Sequence, residues 1–119
     1  MKPITTKLAG VTYDDAQRNI RNLNLQHIRA FDLVRQPDNK HDRNAIRVVY
    51  QGTHLGFIPK EISKYLAPRI DLGGQYEARP IRKNTSPHHE IVGLTIEIVE
   101  VTPVPQQLLY LCSVEHEYV

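Results

Sequence analysis

Hydrophobic and polar residues alternate along much of this chain, and the period of the alternation changes several times. Short segments with a period of two, or with runs of β-branched residues, indicate β-strands. Gln51, Gly52 and Thr53 separate two such segments and predict a tight hairpin. Strands are predicted at 7–12, 28–34, 45–50, 54–58, 75–82 and 91–101.

Two other segments have helical spacing. The first helix is predicted over residues 13–23, with Asp14 and Gln17 as a capping box or Asp15 as the alternative cap. The second begins at Pro59, because proline suits the first position of a helix. The apolar side of the first helix consists of Ala16, Ile20 and Leu23, and that of the second of Ile62, Tyr65, Leu66 and Ile70.

Two stretches lack a clear period. Residues 83–90, KNTSPHHE, are polar and predict a mobile loop between the last two strands. Residues 102–119 are expected to form a C-terminal extension. The LLYL run within it suits either a strand or a short helix, so both interpretations stay open.

The order of these elements predicts a mainly β fold. About six short strands, with one helix after the first strand and another after the fourth, favour a small antiparallel β-barrel that is closed or nearly closed. A barrel of this size is too narrow for a large ligand, so binding is expected on a face or along the rim. The 119 residues are expected to form a single domain over 1–119.

The connection between the second and third strands is long and polar. Hairpin connections usually contain about 2 to 5 residues, whereas residues 35–44 separate these two strands. Such a run of polar side chains between two rigid strands indicates a recognition surface. Its uninterrupted hydrogen-bonding residues are Asp38, Asn39, Lys40, His41, Asp42, Arg43 and Asn44.

Charge is unevenly distributed, although the formal net charge is only +2. Residues 18–47 contain seven Arg or Lys residues and three Asp residues. Glu97, Glu100, Glu115 and Glu117 make the C-terminal end acidic. A local basic face on a nearly neutral molecule fits a short polyanion better than a long one.

The single cysteine and the absence of long apolar segments predict the cellular compartment of the protein. Cys112 is the lone cysteine, so it has no partner for an internal disulfide, and its apolar neighbours predict a buried or half-buried thiol. No segment has the apolar core of a signal peptide or the roughly 18 apolar residues of a membrane span. A soluble, cytoplasmic protein without membrane contact is therefore expected.

The histidines raise the question of a metal centre, which their spacing does not support. His88 and His89 are adjacent and point apart on an extended chain, and His41, His54 and Asp42 belong to no recognisable ligand motif. No Gly-rich phosphate loop is present either. We therefore expect no metal, no other cofactor and no catalytic activity, with a metal-dependent nuclease as a less favoured alternative.

Three short motifs together resemble the HIRAN domain family. They are D-N-K-H-D-R-N-A-I-R-V at 38–48, G-F-I-P-K at 56–60 and G-V-T-Y at 10–13, within a match that covers about residues 8–101. The resemblance implies an OB-like barrel with added helices. HIRAN domains occur in chromatin-remodelling-type helicases and as small stand-alone bacterial and phage proteins, and the helicase members grip the 3′ end of single-stranded DNA.

The resemblance also implies roles for individual residues. Tyr13 would stack on an unpaired base, and Asp42 would accept a hydrogen bond from a free 3′ hydroxyl. Lys60 would pair with the neighbouring phosphate, with Arg43 or Arg47 assisting it. A helicase or nuclease is the expected partner in DNA repair or replication restart, and the oligomeric state stays open. The implied DNA-binding residues are Tyr13, His41, Asp42, Arg43, Phe57 and Lys60.

Four positions depart from the family pattern. His41 replaces a tyrosine that would supply a second stacking ring, and Phe57 replaces a histidine of some DNA-binding members. Gln36 replaces a common glutamate, and Thr12 stands where a binding member carries arginine. Each change would weaken the grip on DNA, so a protein-interaction adaptor is the second hypothesis.

Simpler interpretations of the same residues are also open. Asn39 and Asn44 are expected to bond to the loop backbone, and Asp42 would do only that on this interpretation. Lys60 would be an ordinary solvated charge in the first turn of a helix. Phe57 would pack in the core or at the rim.

Overall fold

Six β-strands and two α-helices make up most of the part of the chain that the structure describes. The structure, a computed structural model, describes residues 1–112. The strands are β1 Ile4–Lys7, β2 Asp32–Arg35, β3 Ile46–Tyr50, β4 Thr53–Phe57, β5 Gln75–Ser86 and β6 His89–Thr102. The helices are α1 Ala16–Arg21 and α2 Lys60–Asp71, and 3-10 turns cover Leu25–His27 and Gln106–Leu111.

The strands form two antiparallel sheets, ordered β1-β6-β5 and β2-β3-β4, which meet at both edges through single residue pairs. At one seam Ala9 and Phe57 exchange two backbone hydrogen bonds of 2.8 Å each. At the other, Phe31 donates to Ala78 at 2.7 Å and accepts from it at 3.3 Å. The result is a nearly closed, OB-like barrel, which confirms the predicted fold class.

The core lies between the two sheets and α2. Ile96 and Ile98 of β6 and Ile46 and Val48 of β3 are completely shielded from solvent. Leu66 of α2 belongs to the same apolar cluster. Burial of each such side chain contributes about 1.5–3 kcal/mol, so α2 is held firmly against the barrel and its first turn is a rigid base for a surface site.

The seam at Ala9 depends on a glycine in β4. Gly56 has a φ of +156°, and a Cβ atom there would lie 2.8 Å from the carbonyl oxygen of Ala9. Any larger residue would therefore push the two chain segments apart. Gly56 is required because the backbone approaches so closely at this point.

The hairpin and the second helix agree with the predictions. Gln51 and Gly52 have φ values of +49° and +80°, which is the left-handed pair of a type I′ turn between twisted strands. Pro59 is the N-cap of α2, and Lys60 is its first residue. The predicted start at Pro59 therefore differs by one position, which is the usual uncertainty at a helix end.

The first strand begins nearer to the N-terminus than predicted. It covers Ile4–Lys7 rather than 7–12, because Gly10 has a φ of +65° and turns the chain away from the sheet. Leu8 still donates to the backbone oxygen of Leu94 at 3.0 Å. The predicted range therefore shares only Lys7 with β1, because the pattern did not reveal the turn at Gly10.

The predicted capping box is wrong, and α1 is shorter than residues 13–23. Asp15 is the N-cap and makes no side-chain hydrogen bond to the helix. The carboxamide of Gln17 instead both donates to and accepts from the backbone of Val92, at 2.9 Å in each case. Gln17 therefore takes the place of a neighbouring strand where β6 extends past the end of β1.

The predicted mobile loop at 83–90 is also wrong. The strands β5 and β6 continue until Ser86 lies opposite His89. Within this extension the side chain of Asn84 donates to Oγ1 of Thr95 at 2.8 Å. Thr95 is buried and Asn84 is half-buried, and a search for apolar alternation does not detect a polar pair of this kind.

The remaining comparisons concern the second strand, the C-terminal segment and membrane-spanning helices. The strand predicted over 28–34 begins only at Asp32. In the C-terminal extension, Gln106–Leu111 is a 3-10 turn and Cys112 is half-buried as predicted, while residues 113–119 lie outside the described part. Within residues 1–112, no helix has the length and apolar character needed to cross a membrane.

Candidate nucleic-acid interface

Two aromatic rings flank Gly10 at the seam between the sheets. A methyl group on Gly10 would lie 3.2 Å from Cδ2 of Phe57 and 3.6 Å from Cδ2 of Tyr13. The turn at Gly10 is closed by a 3.3 Å hydrogen bond from the backbone of Tyr13. It carries the Tyr13 side chain to the surface, where 68% of it is exposed beside the half-buried Phe57. The pair presents an open aromatic face.

The polar loop, residues 36–45, is held together by its own side chains. Oδ1 of Asn39 accepts hydrogen bonds from the backbone N–H groups of His41 and Asp42, at 2.9 and 3.1 Å. Its Nδ2 donates to Oε1 of Gln36 at 2.9 Å. Asn39 therefore has the loop-stabilising role expected from the sequence.

The Asp42 carboxylate stabilises the loop with one oxygen, and its other oxygen is available to a ligand. Its Oδ1 accepts from the backbone N–H of Asn44 at 2.9 Å, and its carbonyl oxygen accepts from Ala45 at 3.0 Å. Within residues 1–112, no hydrogen bond engages its Oδ2 or the side chain of Asn44. The loop orients the Asp42 carboxylate, while Asn44 contributes through its backbone only.

Replacing Asn39 by alanine is expected to loosen the loop without touching a ligand. Two backbone N–H groups lose their acceptor, which should cost about 1–2 kcal/mol and roughly 5 °C in melting temperature. Amide hydrogen exchange at His41 and Asp42 should become faster. Asn44→Ala is the matched control, and equal exchange rates in the two variants would contradict this role of Asn39.

Lys60 stands at the corner where the polar loop meets α2. Ile58 donates to the backbone oxygen of Ile46 at 3.0 Å. The chain after β4 therefore leaves the sheet at the point where Ala45, the last loop residue, enters it. Lys60 is exposed and forms no ion pair with any described residue, so its ammonium group is available to an anion.

One arginine joins the base of the loop to the far end of α2. Arg35 donates to both carboxylate oxygens of Asp71, at 3.0 and 3.1 Å. Its Nη1 donates to the backbone oxygen of Ala45 at 2.9 Å. The bidentate geometry restrains both groups, so the loop keeps a defined position relative to α2.

The remaining predicted residues of the loop are solvent-exposed. His41 and Arg43 have exposed side chains that form no hydrogen bond or ion pair within the described part of the chain. Lys40 and Lys64 likewise form no ion pair there. Positive charge around the loop is thus not neutralised internally, which favours an anionic partner.

His54 also belongs to this surface, although the sequence pattern did not indicate it. Its Nδ1 accepts from Nε of Arg47 at 3.2 Å, and its ring meets that of Phe57 edge-on at 5.1 Å between centroids. Burial, and then the Arg47 charge, lower its pKa, against a smaller opposing effect of Asp14. The backbone oxygen of His54 accepts from Asn19 at 2.8 Å.

A β-bulge explains why the pattern could not reveal His54. Residues three apart on a regular strand point to opposite faces, so His54 and Phe57 were not expected together. The bulge between Val48 and Val49 shifts the register, so that Arg47 pairs with Phe57 and Val49 with His54. All four then lie on the outer face of the second sheet.

The structure thus brings together part of the predicted set. No group of three or more metal-binding side chains is formed within residues 1–112. The two predicted aromatic residues flank Gly10 at the seam. The predicted lysine lies at the base of the loop that carries the other three, namely His41, Asp42 and Arg43.

Solved structures with the same fold support this description. A protein from Lactobacillus plantarum superimposes with a TM-score of 0.66 and 22% identity, over 83% of this chain and 95% of that protein. The HIRAN domain of human HLTF superimposes with a TM-score of 0.57 and 22% identity, over 81% of this chain and 74% of that domain. At this identity the likeness concerns the fold.

Sequence relatives extend the comparison. A Fanconi-associated nuclease 1 homolog from Oryza sativa is 41% identical over 54 residues, which is 42% of this chain and 6% of that protein. The homolog from Arabidopsis thaliana is 50% identical over 40 residues, or 33% of this chain and 4% of that protein. The family model described as HIRAN domain matches residues 3–99. This chain therefore belongs to the HIRAN domain family of nucleic-acid-binding modules.

Proposed function

We propose that this chain is a non-enzymatic module that binds single-stranded DNA and prefers a free 3′ hydroxyl end. The observation that carries the proposal is the pairing of an open aromatic face, at Tyr13 and Phe57, with a loop whose carboxylate and cations are not neutralised internally. Rings of this kind accept unpaired bases, and the cations accept phosphates. This combination of aromatic, cationic and carboxylate side chains suits the end of a DNA single strand.

Asp42 provides the preference for an end. A carboxylate repels phosphate, so its presence among cations is unfavourable along an internal stretch of backbone. A 3′ hydroxyl can instead donate to the uncommitted Oδ2, and a hydrogen bond to a charged acceptor contributes about 1.5–3 kcal/mol. Asp42 therefore discriminates a hydroxyl end from a phosphorylated one.

Lys60 and the loop cations hold the backbone next to that end. The ammonium group of Lys60 pairs with the phosphate preceding the terminal nucleotide, and Arg43 assists from the loop. His41 lies against the terminal base as a smaller ring than the tyrosine of related domains. The resulting grip is weaker than two full aromatic rings would provide.

The module serves an activity supplied by another protein. The relatives from rice and Arabidopsis are named as nuclease homologs, and the human relative of the same fold is the HIRAN domain of HLTF. Delivering a DNA repair nuclease or helicase to an exposed strand end is the role that fits a binding domain of this kind.

A protein-interaction adaptor is the second candidate, and one observation favours it. Leu109, Tyr110 and Leu111 lie on the C-terminal 3-10 turn with at least 47% of each side chain exposed. Exposed apolar residues in a row are a common feature of protein contact sites. An adaptor without DNA affinity would leave the polar loop with no ligand at all.

Fluorescence anisotropy with a labelled oligothymidylate tests the proposal. The wild type should bind the free 3′ hydroxyl form about tenfold or more tightly than the 3′-phosphorylated form. Asp42→Ala should remove this difference, whereas Lys60→Ala should weaken both and reduce the salt dependence by about one phosphate contact. Asp38→Ala and Lys7→Ala are the matched controls.

Two outcomes would contradict the proposal. If the wild type binds both forms equally, Asp42 does not recognise an end. If it binds neither form at low salt, the adaptor is the better description. Equal effects of the Asp42 and Lys60 variants on every ligand would refute their separate roles.

A further inference from the structure

We propose that the bound strand continues from the aromatic pair across the outer face of the second sheet, where His54 positions Arg47 on a phosphate. This inference rests on the proposed function and adds a second contact region to it. The region is a row of side chains on three neighbouring strands, Phe57 on β4, Arg47 on β3 and Val34 on β2, and is named here the outer row.

The strand register defines the outer row. Arg47 lies opposite Phe57 in the β3–β4 pair and opposite Val34 in the β2–β3 pair. Side chains opposite each other share one face of a sheet, and neighbouring strands are about 4.8 Å apart. The row therefore spans about 10 Å, which is long enough for a short stretch of single strand.

The outer row alternates apolar and cationic side chains, as a nucleic-acid strand alternates bases and phosphates. Phe57 is half-buried and Val34 is 40% exposed, so both offer apolar surface to bases. Between them stands the Arg47 guanidinium, which forms no ion pair within residues 1–112. A cation between two apolar contacts matches a phosphate between two bases.

His54 occupies only one of the three nitrogens of the Arg47 guanidinium. The hydrogen bond from Arg47 uses Nε only, so both terminal NH2 groups remain for a forked contact with phosphate oxygens. The acceptor is Nδ1, which requires a neutral imidazole with its proton on Nε2. Burial and the neighbouring guanidinium lower the His54 pKa and favour that neutral form.

Two neighbouring residues contact His54, one at its ring and one at its backbone. Phe57 contacts it edge-on, and Asn19 of α1 bonds to its backbone oxygen. Its Nε2 is buried and has no hydrogen-bond partner in the described part of the chain. A buried donor without an acceptor is unfavourable. An apolar residue would avoid this cost, but it would not supply the acceptor that Arg47 uses.

Substitutions at His54 separate its effect on the position of Arg47 from its effect on the stability of the fold. His54→Leu removes both the acceptor and the unpartnered donor, so its melting temperature should stay within a few degrees of the wild type while DNA affinity falls. His54→Asn keeps an acceptor at the δ position and should restore most of the affinity. Because His54 acts through Arg47, His54→Leu should cause no further loss in a variant that already carries Arg47→Ala.

The experiment compares an oligothymidylate dinucleotide with a hexanucleotide, both with a free 3′ hydroxyl. The wild type should bind the hexanucleotide more tightly. Arg47→Ala should weaken hexanucleotide binding roughly ten- to hundredfold, lower its salt dependence by about one contact and leave dinucleotide binding unchanged. Arg18→Ala, which removes an exposed arginine of α1, is the control.

The outcomes distinguish this inference from the function on which it rests. If the wild type binds both ligands and Arg47→Ala has no effect on the hexanucleotide, the outer row is not used and the end-binding function stands. If His54→Asn is as weak as His54→Leu, His54 does not act as an acceptor for Arg47. If the wild type binds neither ligand, both proposals fail.

Discussion

Replacing Tyr13 by alanine is expected to weaken single-stranded DNA binding more than any other single change at the aromatic pair. Base stacking on an aromatic side chain contributes about 1–3 kcal/mol, which corresponds to roughly a 5- to 150-fold loss of affinity. Tyr13 is 68% exposed, so its removal should alter the melting temperature by only a few degrees. Anisotropy titration and thermal unfolding measure the two effects separately.

The structure offers matched controls for this variant. Tyr110 is 80% exposed on the C-terminal 3-10 turn, and Tyr110→Ala should leave DNA affinity unchanged. Tyr13→Phe keeps the ring and should bind nearly as well as the wild type. A Tyr13→Phe variant as weak as Tyr13→Ala would show that the hydroxyl group, rather than stacking, is what matters.

The largest effect on stability is expected for Gly56→Ala. The new Cβ would lie 2.8 Å from the carbonyl oxygen of Ala9, and the φ of +156° is rare for residues with a side chain. Overpacking and backbone strain together should cost about 2–4 kcal/mol, or roughly 10 °C in melting temperature. Thermal unfolding followed by circular dichroism measures the change.

Gly52→Ala separates the effect of backbone strain from that of overpacking. Gly52 also has a positive φ, +80°, but no atom lies within 4 Å of the position of its Cβ. This variant should lose only the cost of backbone strain, about 1–2 kcal/mol. If both variants lose the same stability, the close approach at Ala9 does not constrain the seam.

The hairpin, the second helix and the polar loop were predictable because their signals are local. Gly52 follows a β-branched run and predicts a tight turn, and Pro59 precedes a helical period. Asn39 and Asp42 lie within three residues of the backbone groups that they bond. In each case one short segment contains both partners of the interaction.

Gln17 and His54 were not predictable in the same way. The spacing of Gln17 from Asp14 predicts a capping box. Its carboxamide instead pairs with the backbone of Val92, 75 residues away. His54 reaches Arg47 and Phe57 only because a bulge changes the register of β4. Periodicity reveals neither contact, because the first joins distant segments of the chain and the second depends on the strand register of the hairpin.

The family, the order of the strands and helices, and the residue types of the polar loop could all be predicted from the amino-acid sequence. Those features follow from side-chain period, turn residues and a motif, all of which are read along the chain. The tertiary structure alone decided which side chains share a surface. Ala9 meets Phe57 at a one-pair seam because sheet closure joins segments far apart in sequence. His54 turns toward Arg47 because a bulge changes the register of the β3–β4 hairpin, which the spacing of residues along one strand does not reveal.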